Sequence, residues 1–171
     1  MVTKTTNNTT LDPDDIVKIQ DLIKEFMKKM GFKIKVAPKL IPEGETESLV
    51  FNLLLKDEKS VALLIGRFGA HLKTLHYFIR FFVNVKMGRE IEKEIRFILD
   101  VNDYLENRRT YLKKTALRVA REVLQLKEAI EMEPMNAFER RVIHLFLADS
   151  KKVATESKGE GFVRRIVIKP L

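Results

Sequence analysis

Apolar residues recur along this chain with two different periods, and each period predicts an element. Ile16, Ile19, Ile23, Phe26 and Met30 fall three or four apart, so they share one helix face. Asp12 suits the cap of that helix, Pro13 its first position, the acids Asp14 and Asp15 its first turn, and Gly31 its end. Residues 32–36 alternate strictly and predict a half-buried strand. Pro38 and Pro42-Glu43-Gly44 then connect it to residues 49–55, a run apolar at nearly every position, as in a central strand. A polar turn over 56–60 precedes a short apolar helix and the tetrapeptide Gly66-Arg67-Phe68-Gly69. A long helix striped by Leu72, Leu75, Ile79 and Phe82 follows, ending at about residue 84. Ile95, Phe97, Leu99 and Val101 alternate again and predict a third strand.

The second half starts a new pattern. Leu112, Ala116, Val119, Ala120 and Val123 stripe a helix over residues 103–126, and 129–132 make a short extended piece. Asn136 suits the cap of a further helix, in which Phe138, Val142, Leu145 and Phe146 form the stripe expected to face the core. Two strands, over 152–157 and 162–169, close the chain around the hairpin-like Lys158-Gly159-Glu160-Gly161.

Charge narrows the partners. There are 32 Lys and Arg against 24 Asp and Glu, for a net +8. Residues 1–60 are neutral, with ten groups of each sign, so the whole excess begins where the glycine tetrapeptide begins. Such a balance favours a polyanion, either nucleic acid or an anionic membrane. With 171 residues, 45% of them hydrophobic, the chain can bury one substantial core or two small ones. It has no run of eighteen apolar residues that would span a membrane. The Thr/Asn-rich start has no apolar h-region, so it reads as a disordered tail over 1–12 rather than a signal peptide. The Asn-x-Thr matches at Asn7 and Asn8 therefore lack a secretory context. Zero cysteines exclude disulfides, thiol catalysis and cysteine-ligated zinc, and fit a reducing, cytoplasmic setting.

Two glycines two residues apart, opening onto a helix N-terminus, let a backbone approach phosphate oxygens closely. Alone that spacing is weak; its surroundings make it specific. The order helix, strand, strand, helix, G-x-x-G, helix, strand over residues 13–102, with Leu64-Ile65 just before the loop, resembles a type II (prokaryotic) KH domain. The resemblance implies a three-stranded sheet with helices on one face, and a groove for about four single-stranded nucleotides. Phe68 stands where many members carry a basic or small polar residue; it either stacks on a base or tucks into the core beside Leu72.

Arg140 and His144 lie four apart on the later helix, so they project together. Helical geometry sets them opposite Phe138 and Val142, where they would be dispensable for folding. Residues 134–144, with Thr155, Ser157, Arg164 and Arg165, resemble the R-three-H domain, a small single-stranded nucleic-acid-binding module. A KH unit (13–102) joined through residues 100–109 to an R-three-H unit (103–171) resembles the Jag (SpoIIIJ-associated, also KhpB or EloR) family. The fold class expected is thus α+β, a type II KH-like domain followed by a small α/β R-three-H domain. Members commonly carry a further N-terminal domain; only a short tail precedes the KH-like helix here, so that domain is either missing or has been removed from this sequence.

The expected function is RNA binding. In the first unit Gly66 and Gly69 would admit the RNA backbone, Arg67 and Lys73 supply charge, Phe68 stack, and Ile65 and Leu72 floor the groove. In the second, Arg140 would contact phosphate and His144 phosphate or base, with Ser157 and Lys158 adding hydrogen bonds. Arg164 and Arg165, adjacent on a strand, point to opposite faces, so at most one joins Arg140. RNA is preferred over single-stranded DNA through the resemblance, which also implies a KH-domain protein partner and a role in cell elongation and division. No catalytic constellation, phosphate-loop lysine motif or His-Glu-x-x-His pair stands in the chain, so neither an enzyme, a cofactor nor a metal is expected. His71 and His76 lie about 140° apart on their helix, poor for a shared metal. His71 is near enough to the loop to touch a phosphate, and His76 reads as a surface residue.

Overall fold

Asp12 opens helix α1 (Pro13–Lys29): its backbone is extended and its carboxylate accepts from the Asp15 amide at 2.8 Å. In this computed structural model, which describes residues 3–4, 10–43, 46–88 and 95–171, α1 buries Ile19, Ile23 and Met27, while Met30 stays exposed beyond the last turn. Within the expected disordered tail, Thr3–Lys4 (β1) pairs antiparallel with Thr10–Leu11 (β2); the other residues of 1–9 lie outside the described residues.

The chain divides into two compact units, Met1–Tyr104 and Leu105–Leu171. In the first, β3 (Lys35–Glu43), β4 (Thr46–Leu54) and β5 (Ile98–Val101) form a sheet in that order. β3 runs antiparallel to β4, and β4 runs parallel to β5. A parallel pair needs a crossover, and α2 (Glu58–Ile65) and α3 (Ala70–Lys86) supply it. The core joins Ile19, Ile23 and Met27 to Phe51, Leu53, Ile79, Val83, Leu99 and Val101, with the Phe26 ring tilted against Phe82 at 5.2 Å.

Two strand expectations need correction. β3 starts at Lys35 and takes in Pro38 and Pro42, which the sequence placed in a connection. At the sheet's edge a missing proline N–H breaks no ladder, so the signal that stops a central strand does not stop this one. The third strand starts only at Ile98, although Ile95 and Phe97 are buried as the alternation predicts. Ahead of it the buried Asn84 side chain replaces a neighbouring strand: it accepts from the Ile95 amide at 2.7 Å and donates to its carbonyl at 3.1 Å. Asn102 does the same for Leu55, at 3.0 and 2.9 Å, and is held with Asp103 in the left-handed region. The Lys39 ammonium then pairs with Asp103 and holds that carboxyl below its usual range.

In the second unit α4 (Tyr104–Leu126) and α5 (Ala137–Leu147) enclose a core with an antiparallel sheet. Its strands are β6 (Ile130–Pro134), β7 (Val153–Lys158) and β8 (Arg165–Pro170), in the order β6-β8-β7. The core is Leu112, Ala116, Val119, Ala120, Val123, Met132, Met135, Ile143, Leu147, Val153, Ile166 and Ile168. The stripe expected from α5 is not the one it buries. Ile143 and Leu147 face inward with Glu139, whereas Phe138, Leu145 and Phe146 are exposed and Val142 packs only at the edge. The last strand also starts later than expected, because Gly161–Val163 form a 3-10 turn ahead of Arg165.

Candidate nucleic-acid interface

The glycine loop is held in conformations that few residues adopt. Gly66 ends α2 at φ 67, ψ −178, a region almost reserved for glycine. The turn closes when the Gly69 amide donates to the Gly66 carbonyl at 3.3 Å, with Phe68 (φ 52) and Gly69 (φ 75) both left-handed. A Cβ at Gly66 would stand 2.4 Å from the His71 ring, and one at Gly69 would stand 3.2 Å from the Tyr104 ring. The bare side of each glycine is therefore filled by the protein's own aromatic rings.

What remains open is the start of α3. Gly69 caps it without a side-chain hydrogen bond, and no acid lies in its first turn. The positive dipole end suits an anion, although the Gly69 and Ala70 amides are already bonded to the Gly66 and Arg67 carbonyls. Arg67 is exposed with its guanidinium 5.1 Å over the Phe68 ring, and Lys73 is exposed one turn on. Phe68 and Ile65 are half-buried. Leu72 is buried, so it belongs to the core and not to a groove floor.

Of the two histidines, one departs from expectation. His71 is exposed beside the loop, as expected, and donates from Nδ1 to the Leu63 carbonyl at 2.7 Å. His76, read as a surface residue, is half-buried, and its Nδ1 accepts from the Leu99 amide at 3.2 Å. Burial pushes its pKa down, with the Arg80 charge acting in the same direction.

In the second unit the start of α5 organises the polar groups. Asn136 and Glu139 form a reciprocal capping box, at 3.0 Å in each direction. The Glu139 carboxylate, 1% exposed, also accepts from Arg108 Nε at 2.7 Å, which ties α5 to α4. Arg140 comes next on the helix and donates from Nη1 to the Met135 carbonyl at 2.7 Å. The Met135 amide donates to the Arg164 carbonyl at 3.1 Å, and Arg164 Nε donates to Ser157 Oγ at 3.2 Å. Two residues back on the same face of β7, the Thr155 hydroxyl shares a 2.7 Å hydrogen bond with His144 Nδ1. Arg140, His144, Ser157 and Arg164 are thus brought together around Met135 and Thr155.

Lys158 and Arg165 are not part of that group. They are cross-strand partners, and both pair with Glu131 of β6, at 2.7 and 3.4 Å. That contact raises the Lys158 pKa and lowers that of Glu131. Arg140 and His144 are half-buried and bonded at the edge of the core, not out on the far face of the helix as their spacing suggested, so their loss is expected to cost stability. The sequence alone gave no role to Thr155, Arg108 or Glu139. An Asn-x-x-Glu capping signature was the available sign of the last. Among the described residues, no cluster of His, Cys, Asp or Glu could hold a metal, and no helix is long and apolar enough to cross a membrane.

Comparison with known proteins gives this geometry relatives. Residues 110–170 match the model of the R-three-H domain. The chain is 32% identical over 150 residues to the RNA-binding protein KhpB of Clostridium symbiosum, covering 88% of this chain and 65% of that protein. It is 34% identical over 112 residues to KhpB of Lactiplantibacillus plantarum, covering 66% of this chain and 34% of that one. For KhpB of Bacillus subtilis the figures are 32% over 112 residues, 64% and 52%. The chain thus spans between about a third and two thirds of the length of the relatives it matches. With its helix–strand–strand–helix–loop–helix–strand unit and Gly66–Gly69 turn followed by a unit that matches the R-three-H domain, the chain is similar to the Jag (KhpB) family along most of its length.

Proposed function

We propose that this chain binds single-stranded RNA without processing it, using two surfaces. The observation that carries the proposal is the grouping of Arg140, His144, Ser157 and Arg164 inside the stretch that matches the R-three-H domain. Arg164 is exposed and Arg140 half-buried, so the group presents guanidinium charge, a hydroxyl and an imidazole on one surface, a mixture suited to phosphate and base edges. The relatives' name, RNA-binding protein, agrees with it. The glycine loop supplies the second surface: Arg67 and Lys73 meet phosphate beside the positive end of α3, where no side chain caps the helix, and Phe68 offers part of a ring. Two weak contacts on one chain reinforce each other when they engage one strand. The same reading carries the wider proposal of post-transcriptional regulation tied to cell elongation and division.

Anisotropy of a labelled single-stranded RNA tests it. The unchanged chain binds; replacing Arg67 and Phe68 together by Asp weakens binding while melting is unchanged. Arg164→Ala weakens it by several-fold, whereas Lys158→Ala, on the Glu131-paired face, leaves it within about twofold. Equal losses at Lys158 and Arg164, or no binding by the unchanged chain, refute the assignment.

One observation favours a second reading, docking of a protein. Tyr77, Phe78, Phe81 and Val85 lie on one side of α3 and are 53%, 62%, 69% and 60% exposed. An apolar stripe of that kind marks an interaction surface, and the Jag resemblance suggests another KH protein as its occupant. Phe81→Asp would abolish such pairing while leaving the affinity for RNA intact.

A further inference from the structure

Phe162 has no role in the packing of this protein. It stands at the tip between β7 and β8 with 102% of its reference surface exposed, and Val163 beside it is 59% exposed. Neither residue is needed for the core, which closes through Val153, Ile166 and Ile168. Single exposed apolar side chains are ordinary on a protein surface; what sets this ring apart is its full exposure on a hairpin tip next to the exposed Val163 and within two residues of Arg164.

The tip is also well fastened. Gly161–Val163 form a 3-10 turn, and the Val163 amide donates to the Glu160 carbonyl at 3.2 Å. Arg165 Nε donates to the Val163 carbonyl at 3.1 Å. Gly159 is left-handed at φ 87, and a Cβ there would stand 3.4 Å from the backbone of both Val163 and Arg164, so the returning strand lies against it. The ring is therefore presented from a braced turn, which limits the ordering cost of using it.

Its neighbours define the ligand. Arg164 is two residues on, within roughly 7 Å of Cα–Cα distance, and is the arginine that joins Ser157 and the Arg140–His144 surface. Of the three basic residues from Ser157 to Arg165, Lys158 and Arg165 pair with Glu131, so Arg164 carries the charge that the tip turns toward that surface. An exposed aromatic ring two residues from an exposed arginine on the same hairpin suits a nucleotide, with the base on the ring and its phosphate on the arginine.

We infer that Phe162 is a base-stacking residue, which extends the second unit's surface by one nucleotide beyond Arg164. The inference rests on the RNA-binding reading of that surface. Stacking on a ring tolerates any base, so Phe162 adds affinity without adding sequence preference. It also adds no charge, so removing it leaves the salt dependence of binding unchanged.

The chain contains no tryptophan, and this makes the test direct. Phe162→Trp places the sole indole at the tip. Titration with a mixed-sequence single-stranded RNA should quench its emission in step with the anisotropy of the labelled strand, at wild-type affinity. Phe162→Ala and Phe162→Leu should each lose about 5- to 150-fold in affinity, the equivalent of roughly 1–3 kcal/mol for one stacked base. Melting temperature and salt slope should stay at wild-type values. Rescue by Leu would mean plain apolar contact, and it would overturn stacking. So would an indole whose emission ignores saturating RNA, or an Ala variant that binds normally; either leaves RNA binding by the unchanged chain standing. Failure of the unchanged chain to bind RNA removes both readings together.

Discussion

Replacing Arg140 and His144 together by Ala separates what these residues do for the fold from what they do for a ligand. Arg140 gives a charged donor to the Met135 carbonyl, and losing it costs about 1–2 kcal/mol, the lower part of the range for charged hydrogen bonds. The His144–Thr155 bond is worth about 0.5–1.5 kcal/mol. Each kcal/mol shifts melting by about 4–8 °C in a unit of this size, so the pair should lower Tm by on the order of 10 °C. RNA affinity, corrected for the folded fraction, should fall by a further 1–3 kcal/mol or so, because a phosphate contact and a base contact are both lost. Arg140→Lys keeps the charge but loses the planar fork, so it should retain part of the affinity. Scanning calorimetry and anisotropy on the same preparations decide the matter. A lower Tm with unchanged corrected affinity would make the cluster purely structural; an unchanged Tm would refute the hydrogen-bond account of the fold.

Two other expectations follow from the first unit. Gly66→Ala brings a methyl against the His71 ring and forces a backbone region that alanine avoids, at a cost of about 1–3 kcal/mol; a melt equal to wild type would show that the loop rearranges freely. His76 is held neutral by burial, so its folded pKa lies below the ordinary value of about 6.5 and unfolding takes up a proton between the two. Stability is then complete above about pH 7 and falls as the pH drops through 6.5. His76→Gln should flatten that decline, and identical slopes for the two proteins refute this role.

The elements that could be read from the sequence are those whose signal is local. Asp12 and Pro13 open α1, Asn136 caps α5, and the alternation of Ile95, Phe97, Leu99 and Val101 marks buried positions, all without tertiary help. The inward face of α5 could not be read this way. Phe138, Val142, Leu145 and Phe146 outnumber Ile143 and Leu147, and hydrophobic count alone prefers the first stripe. The choice is reversed by Glu139, an acid that a sequence reader assigns to solvent and that Arg108, 31 residues away, neutralises in the interior. That shift of face carries Arg140 and His144 from the far side of the helix to the edge of the core, where Met135 and Thr155 meet them. Pro38 misled in the same way, because whether a strand lies at an edge is a property of the sheet and not of its own residues. The glycine loop was legible as a turn, but the rings of His71 and Tyr104 that require its glycines lie further along the chain.

Binding of single-stranded RNA through basic surfaces is the central claim, and its salt dependence is the most direct measurement of it. With about three to five phosphates neutralised by Arg67, Lys73, Arg140 and Arg164, log affinity should fall linearly with log salt at a slope of roughly −2 to −3.5. Arg164→Ala should reduce that slope by about one phosphate's share, and Phe162→Ala should leave it unchanged. A flat salt response of the unchanged chain would contradict the account and turn attention to the exposed α3 stripe and a protein partner.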